Sequence, residues 1–268
     1  MKKFCITGES RRFYLDSCRF DHGSDCKGRM LYRIKALVDI PRHGVKAGDL
    51  GGWLECEENL SHDGDAWVSE CGKIFDDARV YGNALVYGVT EVHDDALIYD
   101  DARIYGYAYI RGDAQIYGEA QVCGKARIYD HAQVFDNDKV RGSAWVRGYG
   151  MVFGEAQVCG ESKIGDYSLV YGKARLYGTL CEGNTRIYGE AKLTGRRSVR
   201  VSGNAQVFGK ARLSGRVRCS ENARVCGNAK VSDNSHDRSH IHGDALISGN
   251  FKIKGTLLCS YDPATDTP

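Results

Sequence analysis

Histidine and cysteine come first, because few other side chains hold a transition metal or act as a base near neutral pH. The 268-residue chain carries eight His and 11 Cys. The densest imidazole group is His236, His240 and His242 in SHDRSHIHGD, a set that can bind Zn²⁺ or Ni²⁺ weakly. Near the N terminus, Cys18-x3-His22-x3-Cys26 with Cys5 upstream offers thiolate and imidazole donors, at a spacing that fits no standard zinc finger. The other His, including His93 and His131, are scattered along the chain. No Gly-x-Gly-x-x-Gly fingerprint, phosphate loop or nucleophile elbow stands out. These are weak metal candidates, and the expectation is a protein with no cofactor and no catalytic residues.

The elements that must position these residues are set by a stride of six. From Val68 to Leu176 every sixth residue is Val, Ile or Leu, through nineteen consecutive hexads. Two residues earlier the side chain is usually Ala, as at 78, 96, 114 and 132. Strand side chains alternate faces, so Ala and the aliphatic both point inward, and the residues flanking the aliphatic point out. Two residues after the aliphatic comes Gly in twelve hexads and Asp in six (Asp76, Asp94, Asp100, Asp130, Asp136 and Asp166). Both types tolerate turn or left-handed backbone angles, so each hexad reads as a short strand closed by a corner. A set of hairpins would need reversing turns at wider spacing and leaves the fixed six unexplained. The pattern is that of a parallel β-helix.

The chain resembles the hexapeptide-repeat proteins, in which three hexads form one triangular coil of 18 residues. That resemblance implies an all-β, left-handed parallel β-helix. A narrower likeness lies in Val45–Trp53 (VKAGDLGGW) and Asn59–Trp67 (NLSHDGDAW), similar to the lead-in of uncharacterised hexapeptide proteins of enterobacteria and their phages. It carries no catalytic residues across. Hexapeptide acyltransferases share the coil but need a general-base His and loops for the acyl donor. Here His93 and His131 sit in an uninterrupted run with no loop, and the three-His spacing of γ-type carbonic anhydrases is not reproduced.

Past Leu176 the stride breaks near 177–186, 194–200 and 232–240, and twelve further inward residues run from Ile187 to Cys259. The reading is an N-terminal cap with lead-in strands over 1–60, about ten coils over 61–259, and a frayed tail over 260–268. With no signal-like leader and no apolar run near 18 residues, a soluble cytosolic protein with free thiols is expected.

Two outward features are candidate contact surfaces. Tyr81, Tyr99, Tyr117, Phe135, Phe153 and Tyr171 are spaced by 18, so they stack into one aromatic column on a face with a single charge beside it, Arg79. Such a column serves either as a contact surface, including for self-association as dimer or trimer, or as packing that stiffens the rod. Charge is also polarised: residues 55–138 carry 6 Lys/Arg against 18 Asp/Glu, whereas 186–230 carry 11 against 2. The late cations are Arg186, Lys192, Arg196, Arg197, Arg200, Lys210, Arg212, Arg216, Arg218, Arg224 and Lys230. They form a candidate basic patch for nucleic acid, nucleotide or an acidic protein. The insertion at 196–200 is expected to push Arg196, Arg197 and Arg200 clear of the coil. The functional expectation is a non-enzymatic binding scaffold, of the kind a phage uses to inhibit or decoy a host protein or nucleoprotein. An acyltransferase-like enzyme and a self-assembling rod are the alternatives.

Overall fold

A computed structural model describes residues 1–14, 28–234, 238–255 and 258–261. The chain is an all-β parallel solenoid of about 11 turns, preceded by an antiparallel cap. Among the described residues there is no α-helix, and none long and apolar enough to cross a membrane.

The stride of six is realised as inferred. Each aliphatic of the run from Val68 to Leu176 is buried, and so is each Ala before it. Most coils pair residue i in parallel with i+18, as in Gln115↔Gln133 and Ile116↔Val134. The corners carry positive φ: Asp76, Asp94, Asp100, Asp130, Asp136 and Asp166 lie between 54° and 59°. Gly118 shows why most corners lack a side chain, since a Cβ there would come within 2.8 Å of Asp136 N on the next coil.

Three stacks of strands make three faces. The first is a ten-stranded stack that begins at Arg79–Val80 and ends at Leu246–Ile247, with Leu60 bridged to Val80 at its head. The second runs from Trp67–Val68 to Lys252–Lys254, and the third from Leu50–Leu54 to Leu258–Tyr261.

The cap is built from β1 (Phe4–Phe13), β2 (Arg29–Ala36) and β3 (Leu50–Leu54). These pair antiparallel in order, and the end of β3 then pairs in parallel with Lys73–Ile74. The first open edge of the solenoid is thereby covered, as unpaired strand edges require. Phe13, Leu31, Trp53 and Phe75 form a small apolar cluster under the cap, apart from the main core.

The turn count exceeds the ten coils expected. Leu54, Leu60 and Cys181 occupy inward, buried places that a fixed stride passes over. Leu54 and Leu60 pair with residues 20 positions on, and Ile164 pairs with Cys181 only 17 on. At the next irregularity, Lys192–Val201 remains one continuous strand. Val199 is buried and Arg200 pairs between Leu180 and Arg218. Arg200 is therefore not pushed clear of the coil: the extra residues are absorbed between Thr194 and Val199, and the strand regains register before Arg200. Arg196 is exposed at that irregularity, and Arg197 lies in the same strand.

Candidate interaction faces

The aromatic column forms and is longer than its sequence spacing indicates. Tyr81, Tyr99, Tyr117, Phe135, Phe153 and Tyr171 stack with centroids 4.8–5.1 Å apart and planes within 4°. Tyr188 and Phe208 continue the column in the same geometry. They follow the one-residue deletion and the two-residue insertion, so a stride of 18 misses them. Each ring is half-buried by its neighbours, and what faces solvent is mainly ring edge. Burial raises the phenol pKa values of Tyr81, Tyr99, Tyr117 and Tyr171, with Tyr99 pushed up to about 12. Shorter stacks, Tyr87–Tyr105 and His131–Tyr149–Tyr167, stand elsewhere on the rod.

In the early coils the third face uses its cations internally. Lys73 pairs with Glu91 at 2.8 Å, both largely buried, and Lys73 also sits over Phe13. Arg127 and Lys163 lie over Trp145, at 5.3 and 4.3 Å from its centroid, and Arg111 lies over Tyr129. These cations are engaged with the protein's own rings rather than held open for a base.

The late cations divide among the three faces. Arg186 and Arg224 are on the aromatic face, separated by Gln206. Arg200 and Arg218 share the third face with His240. Arg216 lies at an exposed corner. Lys192, Arg212 and Lys230 stack on the second face, and the register extends this file at both ends to Arg175 and Lys252. All five are exposed and none forms an ion pair among the described residues. Beside them runs a parallel file of hydroxyls: Tyr177, Thr194, Ser214 and Ser232, ending at Lys254. A groove of about 560 Å³ over this face is lined by Lys210, Arg212, Asn228, Lys230, Asn250 and Lys252. The sequence exposes the net charge here but hides the file, whose members follow at intervals of 17, 20, 18 and 22 residues.

The metal candidates fare differently. Cys18, His22, Cys26 and His236 lie outside the described residues. His240 and His242 are neighbours, with ring centroids 4.6 Å apart, and Ser220 Oγ is hydrogen-bonded to His240 Nε2 at 2.9 Å. Burial, His242 and Arg218 hold the His240 pKa below its ordinary value. The tightest donor cluster among the described residues is elsewhere: Asp76, His93 and Asp94 place one ligand atom each within 4.8 Å. Its parts already satisfy one another. His93 Nδ1 is 2.9 Å from Asp94, its Nε2 is 2.8 Å from the Tyr109 hydroxyl, and Arg29 pairs with Asp76 at 2.5 Å. This network ties the cap to the first coils. The spacing of Cys123 and Cys159, with Arg141 stacked between them, matches two thiols two coils apart, and both are free.

Among known families, the model described as YdcK beta solenoid repeat matches residues 74–94, one stretch of the regular coils. No curated protein matches the chain.

Proposed function

We propose that this protein is a rigid, non-catalytic binding scaffold that engages a protein or nucleoprotein partner. The observation that carries the reading is the late file of five exposed cations with no ion pair among the described residues, whereas early cations such as Lys73, Arg127 and Lys163 are engaged with the protein's own side chains. Exposed charge held at fixed spacing on a stiff support favours recognition over folding. The likeness of the lead-in to phage and enterobacterial hexapeptide proteins favours an inhibitor or decoy acting on a host complex in the cytosol. Affinity purification from bacterial lysate, with and without nuclease, is the test. Recovery of one stoichiometric partner that is lost on reversing the cations supports the scaffold. Turnover of an acyl donor by the purified protein overturns it in favour of an enzyme.

The aromatic face supports a second role as a self-association surface, since ring edges in an eight-membered column offer a continuous, weakly charged strip. Replacing Tyr99, Tyr117 and Phe135 together by Ser is expected to lower the mass seen by light scattering while the circular dichroism persists. A parent that is monomeric at tens of micromolar removes this role.

A further inference from the structure

We infer that the second face of the late coils binds an extended phosphodiester chain, the backbone of a single-stranded nucleic acid. The inference rests on the scaffold reading of that face and names its ligand.

The geometry comes from the solenoid itself. Arg175, Lys192, Arg212, Lys230 and Lys252 are held in consecutive register, one per coil. Strand spacing of about 4.8 Å puts them on a straight line about 19 Å long. Like charges this close repel one another, and no acidic partner among the described residues relieves them. The arrangement is therefore destabilising by itself and is satisfied by a linear array of anions. Thr194 and Ser214 run alongside and add neutral donors suited to phosphate oxygens, while the next hydroxyl, Ser232, donates to Ile253 O. Lys210 with Asn228 and Asn250 forms the other bank of the groove.

One exposed ring stands at the start of this face. Tyr177 is 51% exposed on the coil of Arg175, whereas Phe251 continues the inward file of Ala211 and Ala229 and does not share the face of Lys252. A ring placed like Tyr177 serves as a stacking platform for a base at one end of a short strand. The same face in the early coils reads Leu85, Arg103, Gln121, Lys139 and Gln157, alternating neutral and charged, so the site is confined to the late coils. A single file of this length suits a strand of several nucleotides, whereas a duplex would present two backbones to one line of cations.

The test is fluorescence anisotropy of the full chain with labelled single-stranded 12-mers of deoxythymidine and of uridine. The 12-base-pair duplex and poly-glutamate of equal length serve as comparisons. Both single strands are expected to bind, with a slope of log affinity against log salt near −3.5, taking about −0.7 for each of five phosphates neutralised. Arg212→Glu with Lys230→Glu should weaken binding at least tenfold, while Arg103→Glu with Lys139→Glu on the same face should change it less than twofold. Tyr177→Ala should weaken binding without altering the salt slope. Circular dichroism and melting of each variant establish that it is folded. Equal losses from the two charge reversals overturn the inference, as does absence of single-strand binding at low salt. Tighter binding of poly-glutamate or duplex that still depends on Arg212 and Lys230 also overturns it, while leaving the scaffold reading standing. If charge reversal alters neither these ligands nor partner recovery from lysate, both fall.

Discussion

The early and late coils share one core and differ in what their charges do. In the early coils much of the acidity is structural. Asp94, Asp100, Asp130 and Asp136 occupy left-handed corners and accept hydrogen bonds from the backbone N–H of Gly112, Gly118, Gly148 and Gly154, one coil further on. Glu57, Glu91 and Asp101 pair with Lys2, Lys73 and Arg42. In the late coils most corners are glycine, and Lys192, Arg212 and Lys230 stand on outward strand positions with no such task. The polarised charge thus has two origins: an acidic half whose carboxylates close corners, and a basic half whose cations face outward. A count of charges alone cannot separate them.

The sharpest way to break this comparison is to attack the shared part. Ile116→Asp and Val207→Asp each place an unpaired carboxylate in the fully buried column, and each should cost several kcal/mol. Thermal melts should fall similarly for both. A variant that melts like the parent would mean that its coil does not share the core.

Next in size is Asp138, the one carboxylate at the inward position that Ala fills in neighbouring hexads. One oxygen accepts a hydrogen bond from Ala156 N at 2.6 Å and the other has no partner. Burial pushes its pKa up to about 8. The folded state therefore favours the protonated acid: its stability is fully present below the unfolded-state pKa near 4 and declines as pH rises toward 8. Asp138→Ala should raise the melting temperature at pH 8, by several kcal/mol equivalent, and the gain should vanish near pH 4. A pH-independent gain would contradict the buried, protonated state.

Smaller effects separate the two halves directly. Asp136→Ala loses the bond to Gly154 and forces Ala into φ near +59°, costing about 2 kcal/mol in all. Asp136→Gly should recover the backbone share of that loss. Arg212→Gln and Lys230→Gln should change stability by less than about 0.5 kcal/mol, measured by urea titration. A late cation as costly to remove as an early corner acid would erase the distinction.

Much of the fold is legible in sequence because the solenoid repeats one physical requirement, an inward aliphatic and a tolerant corner, at a fixed stride. The additional places at Leu54, Leu60 and Cys181 are not legible that way. Inserted or deleted residues are absorbed at irregular stretches while strand register is kept in space, so sequence spacing changes where the structure does not. The same cause hides Tyr188 and Phe208 in the aromatic column and Arg175 and Lys252 in the cationic file. Net charge marked the late half as basic, yet Arg186, Arg200 and Arg224 point from other faces. Which cations share a face is a property of register and cannot be summed from composition.

The aromatic column also has an optical consequence. The eight rings stack nearly parallel at 4.8–5.1 Å, so ultraviolet excitation of one phenol is shared with like neighbours, within Tyr81–Tyr99–Tyr117 and within Tyr171–Tyr188, the two groups that Phe135 and Phe153 separate. The rod thereby carries a built-in exciton gauge: the near-ultraviolet dichroism of the tyrosines reports whether adjacent coils are in register, and removing Tyr99 leaves the first group without a stacked pair of phenols.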